Sequence, residues 1–251
     1  MFLIDISHDS SRPGHKLIND KIAPPARAPR VSRRRLLSTL ESSLAAGTST
    51  IISGRAGTGK TSLALDFARQ CGRPLAWYKI DAPDADPQIF FTYLIRSIQV
   101  CRPGFGLKLL LPLLAVRVTD PSDRLADAFV YELAESDPAG PLLIVIEDLH
   151  LVSDAGWLEP FFGRLLPLLP SEVHMLITSR SLPPAPLWRM RSKQSLVVVD
   201  EETLRFTRTE ATALFESYGL SQEQAGIALD HTQGRAAALD DSAASLQRSG
   251  L

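Results

Sequence analysis

This sequence of 251 residues has few cysteines, almost no net charge and no long apolar run, and each of these features excludes a class of protein. The two cysteines, Cys71 and Cys101, are too few for a disulfide framework or a thiolate metal cluster, which needs three or four clustered ligands. Apart from His150, the histidines show no ligand spacing, so no structural zinc site is expected. A formal charge of -1 indicates no nucleic-acid partner.

Export and membrane signals are missing too. The N-terminal segment lacks the basic flank and apolar centre of a secretory signal. The most apolar stretch, residues 107–118, contains charges and a proline and is about half as long as the roughly 20 residues of a membrane span. We therefore expect a cytoplasmic protein that makes no membrane contact.

The first 30 residues contain four prolines and no sustained apolar periodicity, which is typical of an extended arm. Between Arg12 and Arg35, eight lysines and arginines stand against one acid, Asp20. Such a segment either attracts phosphates or an acidic surface, or is simply a solvated basic tail.

Strand-like and helix-like segments alternate over residues 31–204, which predicts an α/β fold. The first helix is expected to start at Ser32, and the run at 141–148 is continuously apolar, as in a parallel sheet covered on both faces. We predict a doubly wound parallel sheet of about five strands, near residues 49–54, 74–80, 141–148, 173–179 and 195–200.

The pattern changes to helices alone over residues 205–251. Thr207 with Glu210, and Ser221 with Gln224, have the spacing of capping boxes that begin helices. The sequence thus predicts a small all-helical subdomain after the sheet.

The segment between the first predicted strand and the next helix reads GRAGTGKT and has the spacing of a phosphate-binding P-loop. Backbone N–H groups, a helix N-terminus and a cation grip a phosphate chain, and glycines let the loop wrap around it. We expect Lys60 to reach the β and γ phosphate oxygens and the Thr61 hydroxyl to bind Mg²⁺. The residues predicted to hold the nucleotide here are Gly54, Arg55, Ala56, Gly57, Thr58, Gly59, Lys60, Thr61 and Ser62.

Two acids, Glu147 and Asp148, end the apolar run, where a carboxylate is costly unless it meets a metal or a donor. We assign Glu147 to Mg²⁺, directly or through water, and Asp148 to the attacking water, although the two roles can be exchanged. Arg180 follows the next strand and is placed to sense the γ-phosphate, while a surface arginine is the alternative. The predicted catalytic residues are Lys60, Asp148 and Arg180, and His150 is interpreted as a hydrogen-bonding or packing residue.

The sequence indicates less clearly which nucleotide base is bound. The N-K-x-D element with which many GTPases read guanine does not occur, so adenine is the default. The expected ligands are ATP or ADP with Mg²⁺.

Taken together, these segments resemble the ATPase module of the STAND class of signal-transduction NTPases, especially the MalT-like large ATP-binding LuxR-type transcriptional regulators. The matching stretches include VSRRRLLSTL, GRAGTGKTSLALDFA, LAWYKIDAPDADPQIFFTYLIRSI, LLIVIEDLHLV, HMLITSRSLPPAPLWRMR, LRFTRTEATALF and HTQGRAAALDDSAASL. The resemblance covers roughly residues 29–248.

The resemblance implies that ATP or ADP binds between the sheet and the helical subdomain, and that the ATP-bound form self-associates. It places Val31 and Arg33 against the adenine and matches Arg180 to the family's arginine after the fourth strand. Glu147 stands where aspartate is usual, which puts metal affinity and hydrolysis in question, and Arg235 stands where tryptophan is frequent. Contact with DNA would need a module that this chain does not contain.

Three functions compete at this point. The first is a slowly hydrolysing ATP switch of a transcriptional regulator, and the second is an AAA+-like ATPase that acts on DNA or protein as an oligomer. The third, a small-molecule kinase, lacks a recognisable acceptor site.

Overall fold

The computed structural model describes residues 19–47, 49–116, 122–136, 140–181 and 196–250. Its centre is a five-stranded sheet in the order β2-β3-β4-β1-β5, in which every neighbouring pair is parallel. The predicted fold class is confirmed. The strands are β1 Ser49–Ser53, β2 Leu75–Lys79, β3 Leu142–Glu147, β4 Val173–Ser179 and β5 Leu196–Val199.

Helices cover both faces of this sheet. Successive residues of β3 alternate between two apolar clusters, with Ile144 on the side of α3, α5 and α6 and Leu143 on the side of α1 and α2. Burial on both faces explains why β3 is continuously apolar up to Glu147. The helices of this layer are α1 Arg34–Ala45, α2 Lys60–Gln70, α3 Pro87–Gln99, α4 Leu110–Ala115, α5 Ser122–Glu135 and α6 Leu158–Leu165.

The first helix begins two residues later than predicted. Ser32 is not its cap, because the Ser32 hydroxyl oxygen accepts a hydrogen bond from Gln70 Nε2 on α2. Arg33 occupies the cap position without a capping side-chain hydrogen bond, and its own side chain is buried. A local capping signal was therefore overridden by a tertiary contact.

Residues 19–30 are the described part of the predicted arm, and Lys21 and Ala26 contact the sheet layer. A short 3₁₀ helix, Asn19–Ile22, contributes Lys21, whose Nζ lies 2.7 Å from Asp81 Oδ1 and 2.6 Å from Asp84 Oδ1. Lys21 and Asp84 are both buried. This part of the arm is thus held by a buried ion pair, which its sequence pattern does not predict; residues 1–18 lie outside the described residues.

Three helices follow the sheet and share a separate apolar core built around Phe215, Leu214 and Leu239. Both predicted capping boxes are present, at Thr207 and at Ser221. The helices are α7 Arg208–Glu216, α8 Gln222–Thr232 and α9 Ala236–Ser249. Within the described ranges, no helix is long and apolar enough to span a bilayer.

Candidate functional site

The P-loop lies at the carboxyl end of β1, at the edge of the sheet where β3 and β4 also end. Gly57 and Gly59 have φ values of 79° and 87°, in the left-handed region that disfavours side chains. A Cβ on Gly57 would also lie 3.0 Å from Ala237 Cβ. The glycines are therefore required by both the loop conformation and the helix packed against it.

Lys60 is the first residue of α2, and its side chain is folded back over the loop. Its Nζ donates to the carbonyl oxygen of Gly54 and, at 2.9 Å, to that of Arg55. Burial lowers the pKa of Lys60, an effect that nearby Asp148 opposes and Arg180 reinforces. The lysine thus lies beside the acid and the arginine that the sequence analysis assigned to the same site.

Glu147 and Thr61 meet across the site. The Thr61 hydroxyl donates a hydrogen bond to Glu147 Oε1, while Glu147 Oε2 is buried and has no hydrogen-bond partner among the described residues. A hydroxyl beside a carboxylate with one uncompensated oxygen is the hard oxygen donor set that Mg²⁺ prefers. These two residues fit a magnesium site that phosphate oxygens would complete.

Asp148 has a left-handed backbone conformation, with φ 63°, which is uncommon for a residue other than glycine. Its N–H donates to Thr178 Oγ1 on β4 at 3.0 Å, and its Oδ1 lies 3.8 Å from His150 Nδ1. Burial lowers the pKa of His150, an effect that nearby Asp148 opposes and that Arg180 and Lys60 reinforce. His150 Nδ1 is buried and has no hydrogen-bond partner among the described residues, so of the two interpretations of this histidine its Nδ1 favours packing.

A cavity of about 530 Å³ joins these groups, a size typical of sites for small ligands. The predicted site residues that line it are Val31, Arg33, Ala56, Gly57, Gly59, Lys60, Thr61, Ser62, Glu147, Asp148 and Arg180. Gly54, Arg55 and Thr58, also predicted, do not line it. The N–H of Gly54 donates to the Ser179 carbonyl and that of Arg55 to Glu201, so both are occupied within the protein.

Arg55 differs most from its predicted role. Its guanidinium pairs with Glu201 Oε1 at 2.6 Å outside the cavity, and this contact lowers the pKa of Glu201 to about 2. The side chain therefore points to the linker after β5 rather than to the phosphate-binding side of the loop.

Several lining residues were not predicted from the sequence. The arm contributes residues 27–30, the sheet contributes Lys79, and the helical subdomain contributes Asp240. The basic run of the arm was a signal for the first group, whereas no local pattern marks the other two. The remaining lining residues are Leu63, Asp66, Phe206, Leu214, Ala236 and Ala237.

The helical subdomain contacts the P-loop directly. Arg235 Nη2 donates to the Ala56 carbonyl oxygen at 2.6 Å, and the Ala237 N–H donates to the Gly57 carbonyl oxygen at 2.9 Å. Arg33, only 4% exposed, donates to the carbonyl oxygens of Leu204 at 2.7 Å and Gly59 at 3.2 Å. Burial lowers the pKa of Arg33 to about 10, so it stays charged at neutral pH.

Comparisons with known proteins address the family of the chain. The AAA ATPase domain family matches residues 30–178. The chain is 33% identical over 229 residues to the HTH-type transcriptional regulator MalT of Yersinia enterocolitica, covering 89% of this chain and 24% of that protein. For MalT of Serratia proteamaculans, the identity is 32% over 240 residues, covering 93% of this chain and 26% of the relative. The chain thus spans about a quarter of the length of these relatives.

Two solved structures share the fold. One is a Signal Transduction ATPase with Numerous Domains (STAND) protein with a tetratricopeptide repeat sensor from Pyrococcus horikoshii, with TM-score 0.59, 19% identity, and coverage of 86% of this chain and 30% of that one. The other is a Walker-type ATPase of Pyrococcus abyssi, with TM-score 0.58, 16% identity, and coverage of 90% and 72%. The resemblance predicted from the sequence is confirmed.

Proposed function

Because the chain belongs to the AAA ATPase domain family, we propose that it binds ATP or ADP with Mg²⁺ between the sheet and the helical subdomain and serves as a switch. In this proposal the bound nucleotide sets the position of the subdomain, and the ATP-bound form self-associates. Hydrolysis is slow and resets the switch.

The observation that supports this proposal best is that the helical subdomain binds the carbonyl oxygens of the P-loop, while the N–H groups of the loop are the groups that bind phosphates. The carbonyl oxygens of Ala56 and Gly57 are bound by Arg235 and by the backbone of Ala237. Phosphates bind a P-loop through its N–H groups and its lysine, on the other side of the same peptide units. Any adjustment of the loop around a phosphate chain therefore acts directly on the start of α9.

The residues around the cavity support the following roles. Lys60 leaves the carbonyl oxygens of Gly54 and Arg55 and binds phosphate oxygens in their place. Thr61 and Glu147 hold Mg²⁺, which when bound neutralises charge on the phosphates. Asp148 orients the attacking water, and Arg180 neutralises charge on the γ-phosphate side.

The wider activity is inferred from relatives that are longer than this chain. The two MalT proteins are named as HTH-type transcriptional regulators, and this chain covers 24% and 26% of them. We infer a regulator's switch domain whose contact with DNA runs through another module.

Isothermal titration with ATP and ADP in the presence of Mg²⁺ tests the binding. We expect micromolar or tighter affinity for the wild type and its loss in Lys60→Ala, because the lysine supplies the charge that phosphates need. Lys108→Ala is the matched control, since Lys108 is exposed and does not line the cavity. Turnover should lie well below the roughly 1–100 s⁻¹ of phosphoryl-transfer kinases.

Equal affinity in the wild type and Lys60→Ala would contradict the binding mode. Fast multiple turnover by the chain alone would contradict the switch and favour an AAA+-like ATPase that works as an oligomer.

A further inference from the structure

Helix α9 forms one wall of the cavity and approaches the P-loop closely at its N-terminus. Besides the Ala237 hydrogen bond, a Cβ on Gly59 would lie 3.1 Å from Ala236 Cβ. Asp240 lines the same cavity three residues beyond Ala237. At 1.5 Å per residue, that separation is about 4.5 Å along the helix, so Asp240 lies about one turn away from the loop.

The Asp240 carboxylate is held by Tyr218, which in turn packs against Arg30 of the arm. Its Oδ1 accepts a hydrogen bond from the hydroxyl of Tyr218 at 2.6 Å, and Tyr218 is 5% exposed. The guanidinium of Arg30, from the arm, lies 4.1 Å from the Tyr218 ring centroid. Among the described residues no donor or cation contacts Oδ2, so this oxygen remains for a donor on a ligand.

A carboxylate at this position selects the part of a nucleotide that can face it. Phosphates are anionic and are excluded as partners of Asp240, whereas hydroxyl and amino groups are donors. In a nucleotide whose phosphates lie on the P-loop, the ribose comes next along the molecule, and its two hydroxyl groups are the nearest donors. The 6-amino group of adenine lies at the far end of the base.

We propose that Asp240 accepts a hydrogen bond from a ribose hydroxyl and so makes the site selective for ribonucleotides over deoxyribonucleotides. This inference rests on the proposed nucleotide binding and adds a specificity-determining residue to it. Tyr218 is a positioning residue in this arrangement, since its hydroxyl holds the carboxylate, and Arg30 packs on the Tyr218 ring.

Titrations of ATP, 2′-deoxy-ATP, 3′-deoxy-ATP and inosine triphosphate into the full chain with Mg²⁺ test the inference. Hydrogen bonds to charged groups are strong, so we expect the wild type to bind at least one deoxy analogue about tenfold more weakly than ATP. In Asp240→Ala this ratio should fall to about one. The neighbouring acid Asp241 is exposed, and Asp241→Ala should keep the wild-type ratio.

Tyr218→Phe provides a second variant that retains the apolar packing of the ring and loses only its hydroxyl. We expect it to reduce the discrimination without abolishing ATP binding, because the carboxylate is less well oriented. Because the ratio of the affinities for ATP and a deoxy analogue is taken within each variant, a change that affects the binding of all phosphates equally does not alter it.

The outcomes separate this inference from the proposed function. Equal affinity of the wild type for ATP and both deoxy analogues overturns the ribose contact and leaves the nucleotide site intact. An Asp240→Ala effect confined to inosine triphosphate assigns the carboxylate to the base and also overturns it. No binding of any nucleotide by the wild type overturns the proposed function and the inference together.

Discussion

At the scale of single residues, the most informative group is the carboxylate of Glu147. One oxygen accepts from the Thr61 hydroxyl, and the other is buried without a partner among the described residues. A buried carboxylate oxygen that is left unpaired is costly, and a divalent cation compensates it better than a neutral donor does.

Glu147→Gln tests this assignment. The amide keeps the size of the side chain and removes its charge, so we expect nucleotide binding to persist while its enhancement by Mg²⁺ falls by about tenfold or more. Titration of ATP with and without Mg²⁺ measures the enhancement. Glu159→Gln is the control, since Glu159 is exposed on α6, and an unchanged Mg²⁺ effect in Glu147→Gln would remove Glu147 from the metal site.

The sequence was sufficient to predict several of these residues and insufficient for others. Lys60, Thr61 and Glu147 are identified by fixed spacing to a strand and a helix, so a local pattern was enough. Arg55 belongs to the same motif, but its side chain turns to Glu201, 146 positions away. Which side of a loop a residue occupies depends on such distant partners.

At the scale of elements, the arm makes more contacts with the rest of the chain than its composition suggests. Lys21 of the arm pairs with Asp84, which follows β2, and the Ala26 carbonyl oxygen accepts a hydrogen bond from Arg69 on α2. The guanidinium of Arg30 lies over the ring of Tyr218, which follows α7. The arm thus connects the sheet layer with the helical subdomain and lines the cavity between these ends. Proline-rich segments without periodicity give no local signal for such contacts.

Lys21→Met tests whether the arm is an integral element. Because Asp84 is fully buried and would lose its cationic partner, we expect the free energy of unfolding to fall by about 3–5 kcal/mol. Denaturant unfolding measures the loss, and limited proteolysis should show earlier cleavage within residues 19–30. Lys108→Met, at an exposed position, should leave both unchanged. A wild-type unfolding curve for Lys21→Met would mean that the ion pair contributes no net stability.

At the scale of the whole molecule, the five parallel strands were predictable because β5 and all of β3 before Glu147 are continuously apolar and the other three strands have apolar centres. The contact between the helical subdomain and the P-loop was not. It depends on the close approach of Ala236 and Ala237 to Gly59 and Gly57, where small residues face each other. Small residues carry no amphipathic pattern, so only the assembled fold identifies them as an interface.

The same contact makes a prediction about assembly. If the nucleotide sets the position of the subdomain, ATP and ADP should produce different surfaces and different association. Sedimentation velocity of the full chain, with saturating Mg²⁺ and either ADP or a non-hydrolysable ATP analogue, measures this directly. We predict a larger mass with the ATP analogue than with ADP, and no such difference in Lys60→Ala. Identical sedimentation of the wild type with both nucleotides, at proven saturation, would contradict the switch.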